Sequence, residues 1–164
     1  MRRQFISADA PLLRAMAHDM ERFESSALDA LIADMFDTMR HSRGVGLAAP
    51  QIGVSQRVIV FEFQGGDRAP DTAPIASTVL INPVITEREG RAEDWEGCLS
   101  LPGLRGWVPR ATRIHYIGRG RNGERLRGVA EGFHARIIQH EIDHLDGVLY
   151  TDVAIRTEPY ERPS

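Results

Sequence analysis

Gln139-His140-Glu141-Ile142-Asp143-His144 is the stretch from which the rest of this chain can be organised. Residues i and i+4 of a helix stand one above the other on the same face. At that spacing His140 and His144 can offer two imidazole nitrogens to one metal ion, with Glu141 beside them. A helix that supplies two ligands and a general base in this way is a device for splitting amide bonds. Two histidines four apart also occur as unrelated core or surface residues; the intervening Glu141 favours the metal. The periodicity predicts a helix from about Phe133 to Leu145, with Gly147 placed to stop it. Around that helix Arg136, Gln139, Asp143 and Asp146 form one polar stripe expected to face solvent. Ile138, Ile142 and Leu145 lie roughly opposite. Phe133, Ile137, His140, Glu141 and His144 occupy the sector between, which suits a metal at the floor of a partly apolar pocket.

Outward from this helix the chain alternates short elements. Leu28, Leu31, Ile32, Met35, Phe36 and Met39 follow helical spacing from Ser26 to His41. Ser26 with Asp29 reads as a capping start, and Gly44 reads as the end. Val58-Ile59-Val60-Phe61 and Val79-Leu80-Ile81 are short β-branched runs, separated by a Gly-, Asp- and Pro-rich loop from Gly65 to Pro74. Thr112 to Ile117 alternates, and Asn122-Gly123 predicts a hairpin turn after it. An early helix, several strands and a late helix predict an α+β fold.

The 164 residues suffice for one domain with a sizeable core. A net charge of -3 gives no reason to expect a nucleic-acid partner, and the eight Arg between Arg105 and Arg136 read as a solvated hairpin. No apolar run approaches the roughly 18 residues of a membrane span. The N-terminal stretch lacks the apolar segment of a secretory signal, so the cytoplasm is the expected location. Cys98 is the only cysteine, which excludes an internal disulfide. Lysine is absent, which excludes Schiff-base chemistry and a Walker A phosphate loop.

A catalytic site of the zinc type takes three protein ligands and leaves a position open. Cys98, within Glu96-Gly97-Cys98-Leu99-Ser100, is a candidate for the third; a lone cysteine is otherwise a small buried hydrophobe. Gly44-Val45-Gly46-Leu47-Ala48-Ala49-Pro50-Gln51 lacks the third glycine of a dinucleotide fingerprint. Its small residues permit close backbone approach, and Gln51 can donate its amide to a developing oxyanion.

Taken in order, these three segments resemble peptide deformylase. The likeness continues through Val108-Pro109-Arg110, Tyr116-Ile117-Gly118 and Gly132-Phe133-His134-Ala135-Arg136, from about residue 5 to 152. It implies small mixed or antiparallel sheets packed around the metal-binding helix, and removal of the formyl group from the N-terminal formylmethionine of nascent chains. It further implies that Cys98, His140 and His144 hold one divalent ion, usually iron(II), with zinc, nickel or cobalt as substitutes. Glu141 would be the general base and then acid, while the Leu99 N–H and the Gln51 side chain would hold the oxyanion. Val45 and Gly46 would pair with the peptide like an added strand, and Arg105 would contact its backbone. Phe133 and Ile137 would line the methionine pocket, and Glu96 would pair with Arg110 as scaffold.

The ending departs from the family pattern. No long C-terminal helix follows Tyr150-Thr151-Asp152, and residues from about 153 to 164 read as a loose tail on a single catalytic domain, 1–164. Any association near the ribosome is therefore expected to proceed without such a helix. Two alternatives stand beside the main expectation: a general zinc protease, which more usually takes a third His or Glu, and a deformylase-like protein that binds metal or formyl-peptide without turnover.

Overall fold

The computed structural model describes residues 1–163. In chain order the elements are α1 (Pro11–Arg14), α2 (Ser26–His41), β1 (Gly46–Ala48), a 3-10 turn (Ala49–Ile52), β2 (Val58–Phe63) and β3 (Ile75–Glu89). There follow β4 (Ala92–Cys98), β5 (Leu101–Arg110), β6 (Arg113–Arg119), β7 (Arg125–Glu131), α3 (Gly132–Leu145), α4 (Tyr150–Val153) and β8 (Arg156–Pro159). One sheet runs β1-β2-β3-β6-β7 and the other β4-β5-β8. Every ladder between these strands is antiparallel, which resolves the expected choice between mixed and antiparallel sheets.

Strand β2 is buried on both faces, and its two-residue period sorts the apolar residues into two cores. Val58 and Val60 join the α2 stripe of Leu28, Ile32, Met35 and Met39. Ile59 and Phe61 join Ala135, Ile138, Ile142 and Leu145 of α3. Leu47 and Ala48 of β1, and Ile81 and Leu80 of β3, divide the same way. The metal-motif helix thus lies on one face of the five-stranded sheet and α2 on the other.

Helix α2 has the expected span, but its cap is Ser25 rather than Ser26: the Ser25 Oγ accepts the Leu28 N–H at 3.1 Å. Its end differs too. Arg43, not Gly44, adopts the left-handed backbone with φ 56°. Strand β3 is far longer than Val79–Ile81, because its first half pairs with β2 and its second half with β6, with a register shift between Ile81 and Val84. Asn122-Gly123 forms the expected turn, Gly123 taking φ 81° between β6 and β7.

Two expectations need correction. The polar stripe of α3 faces solvent only at its C-terminal end, at Asp143 and Asp146: Arg136 and Gln139 are buried, because the second sheet and the Ala111 loop pack there. Nor is the C-terminal segment loose through Pro159. Arg156–Pro159 forms β8, pairing with Leu104 to Trp107 of β5 and covering an edge that would otherwise lack a partner. Ser164, the last residue of the expected tail, lies outside the described residues.

Candidate metal centre

Helix α3 sets His140 and His144 one turn apart, their ring centroids separated by 5.1 Å. Cys98 ends β4, and the turn that follows brings its Sγ to 3.3 Å from His144 Nε2. One donor atom from each of the three residues lies within 4.8 Å of the others. With metal–sulfur bonds near 2.3 Å and metal–nitrogen bonds near 2.0 Å, tetrahedral donors stand about 3.5 Å apart. The spacing and the soft thiolate therefore fit one divalent ion.

Beneath the histidines lies a buried ion network. Glu96 accepts Nε and Nη2 of Arg110, both at 2.9 Å, and Nη1 of Arg136 at 2.6 Å. Arg110 also reaches Asp143 at 2.6 Å. His140 Nδ1–H donates to Glu96 Oε1 at 2.8 Å, which leaves His140 Nε2 as the atom available for a ligand bond. Burial by itself would push the Glu96 carboxyl up, but bonds from Arg110 and His140 hold it well below the usual carboxylate range. Burial, then the nearby His140 and Arg110 charges, pushes His144 well below the usual histidine value. The ring of Tyr150 stacks on His140 at 6.1 Å and fixes its plane from the other side.

Glu141 is buried, and its Oε1 has no partner within the protein. Burial pushes its carboxyl up to about 7. Its other oxygen abuts Gly46, where an added Cβ would lie 2.6 Å from Glu141 Oε2. Gly46 is thus required by Glu141, independently of any substrate. Gln51 is oriented from behind: its Oε1 accepts the Ala48 N–H at 2.9 Å. The amide nitrogen then faces Cys98 Sγ at 3.5 Å and Ser100 Oγ at 3.1 Å. Leu99 lies in the turn between Cys98 and Ser100, with its Cδ1 against Gly44.

Val45, Phe133 and Ile137 belong to the α3 core cluster. Phe133 meets Phe63 edge-on at 5.2 Å and carries the Arg68 guanidinium over its face at 4.8 Å. The Val45 carbonyl already accepts the Glu62 N–H at 3.0 Å. Arg105 stands apart on β5, bonded to Glu158 of β8. Arg136, Ser100 and Tyr150 contribute to the site without having been singled out for it. For Arg136 a signal existed, since it precedes His140 by four residues on the same helix.

The family described as Polypeptide deformylase matches residues 2–160. The chain is 55% identical over 143 residues to a peptide deformylase 2 of Ralstonia nicotianae, covering 87% of this chain and 80% of that protein. It is 54% identical over 141 residues to a peptide deformylase 2 of Bordetella bronchiseptica, covering 85% and 80%. Among solved structures, the Met-Ala-Ser-bound class I type b peptide deformylase of Acinetobacter baumannii superposes with a TM-score of 0.90 at 35% identity, over 93% of this chain and 98% of that one. The peptide deformylase of Thermotoga maritima gives 0.85 at 35% identity, over 95% and 99%.

Proposed function

The chain belongs to the peptide deformylase family, and on that premise we propose how its own residues remove the N-formyl group from nascent polypeptides. The single observation that supports the reading best is the convergence of Cys98 with the His140–His144 pair, beside a buried Glu141 that lacks a protein partner. Cys98, His140 and His144 would hold one divalent ion. One thiolate and two imidazoles suit zinc, nickel or cobalt as well as iron(II), and iron(II) is the ion that the likeness to the family implies. When bound, such an ion supplies Lewis acidity toward the formyl carbonyl and lowers the pKa of water.

The remaining work falls to the chain. Glu141 accepts the proton of the attacking water and returns it to the departing amine, and a carboxyl near 7 is suited to both transfers. The Gln51 amide and the Leu99 N–H donate to the formyl oxygen as it gains charge. Ala48 holds the Gln51 amide in advance with its nitrogen turned toward Cys98, and one N–H passes from the sulfur to the formyl oxygen. Gly46, which opens the edge strand β1, and Val45 just before it pair with the peptide backbone. Phe133 and Ile137 line the methionine pocket, and Arg105 contacts the peptide farther along.

In this reading residues 1–164 act as one catalytic domain in the cytoplasm. The partner is a formyl-methionyl chain near the ribosome, with no membrane and no specific nucleic acid involved. No helix among the described residues is long and apolar enough to cross a membrane. The test is formate release from formyl-Met-Ala-Ala by protein loaded with iron(II) under anaerobic conditions. Steady turnover is expected. Metal uptake without formate release would leave a binding protein instead.

A further inference from the structure

The five-stranded sheet is covered unevenly. On its α2 side the core packing ends at Ile81 of β3. Beyond Ile81 the ladders set residues in rows on that face: Val84, Ile117 and Arg127, then Glu87, His115 and Val129, then Glu89, Arg113 and Glu131. Arg119 and Arg125 form a further pair toward the β6–β7 turn. The opposite face of the same strands sends Ile114 and Ala130 into the α3 core. Val84, Ile117 and Val129 are neighbours in this pattern, yet they stay 51%, 45% and 46% exposed.

The charges around this apolar centre are sorted by end. Toward the turn stand Arg119, Arg125 and Arg127, none of which has a carboxylate partner among the described residues. At the other end stand Glu87, Glu89 and Glu131. Arg113 lies 3.8 Å from Glu89 and 3.6 Å from Glu131, so three carboxylates share one guanidinium there.

A polyanion would suit one end of the face and meet three carboxylates at the other. A second copy suits both. A half-turn about an axis lying across the strands lays the basic end of each copy on the acidic end of the other, and the apolar centres meet between them. Strand β6 contributes seven residues. Three strands about 4.8 Å apart and about 24 Å long make a patch of roughly 14 by 24 Å. That is the low end for a specific interface, so the association is weak and depends on concentration.

We propose that the uncovered face of β3, β6 and β7 is a self-association surface, on which a second copy of this chain docks with its strands reversed. Helix α3 lies on the other side of the sheet, so docking leaves the metal-motif helix uncovered.

The experiment is sedimentation velocity of the metal-loaded protein from micromolar to submillimolar concentration. A reversible monomer–dimer equilibrium is expected, weakened by added salt. Ile117→Asp should raise the dissociation constant at least about tenfold. Arg125→Glu with Arg127→Glu makes the basic end acidic, and Glu87→Arg with Glu89→Arg makes the acidic end basic. Each double variant alone should self-associate at least about tenfold more weakly than wild type, and the two mixed should pair. Arg88→Glu changes an exposed charge on β3 in register with inward-facing Ile114, and should leave the equilibrium unchanged. A wild-type protein monomeric throughout, a dimer indifferent to Ile117→Asp and to both double variants, or a mixture that fails to pair would overturn the proposal. A monomer that instead binds an RNA oligonucleotide through Arg125 and Arg127 would overturn it and assign the face to a polyanion.

Discussion

His140 Nδ1 lies 2.8 Å from Glu96 Oε1, and the same carboxylate receives both Arg110 and Arg136. One side chain thereby fixes the ring orientation of a proposed metal ligand and bridges two buried cations, one of which also meets Asp143. Glu96 is buried on β4, two residues before Cys98, so the strand that presents the thiolate also anchors the helix that presents the imidazoles.

Glu96→Gln should weaken metal binding by about 10- to 100-fold, because the His140 ring loses the acceptor that sets its tautomer. It should also lower stability by about 3–5 kcal/mol, since buried Arg136 loses its counter-charge and Arg110 is left with Asp143 alone. Chelator competition and denaturant unfolding measure the two effects separately. Unchanged metal affinity would show that the Glu96–His140 bond is incidental.

Gly46→Ala should harm turnover more than stability. The new methyl would sit 2.6 Å from Glu141 Oε2, so the buried carboxylate would have to shift. A displaced base of this kind loses about 10²-fold in kcat. Wild-type kcat in this variant would mean that the carboxylate position is not critical.

Gln51→Ala should lower kcat by about 10²- to 10³-fold as the oxyanion loses a donor. A separate cost of about 1–3 kcal/mol should appear in unfolding, because the buried Ala48 N–H loses its acceptor. An unchanged kcat with the stability loss intact would reduce Gln51 to scaffold.

Away from the metal centre, Glu62 should govern part of the acid sensitivity. Bonds from Arg40 hold its carboxyl below the usual range, against burial, with Ser77 assisting. A depressed folded-state pKa contributes stability that is present above the unfolded value and lost as pH falls through the folded one. Wild type should therefore exceed Glu62→Gln by about 1–2 kcal/mol at pH 7, and the gap should close on acidification below about pH 4. A gap independent of pH between 7 and 3 would contradict this assignment.

The residues that were legible in the sequence are those whose signal is local. The period of Leu28 to Met39 predicted α2, the spacing of His140 and His144 predicted a shared helix face, and Asn122-Gly123 predicted the β6–β7 turn. What escaped depends on partners distant in sequence. Arg136 and Gln139 form a polar stripe on any helical wheel, and only the packing of the second sheet buries them. Strand β8 has no apolar alternation of its own; the free edge of β5 and the stacking of Arg105 between Trp95 and Tyr160 make it a strand. That the Glu141 carboxylate fills the space a side chain at Gly46 would need is likewise visible only in the fold.

The most direct test of the central claim pairs metal content with formate release in wild type and Glu141→Gln, both loaded anaerobically with iron(II). The account predicts equal metal in the two proteins, about one ion per chain, and a loss of about 10²- to 10⁴-fold in turnover for the variant. A Glu141→Gln protein that binds its ion and still releases formate within about tenfold of the wild-type rate would contradict it.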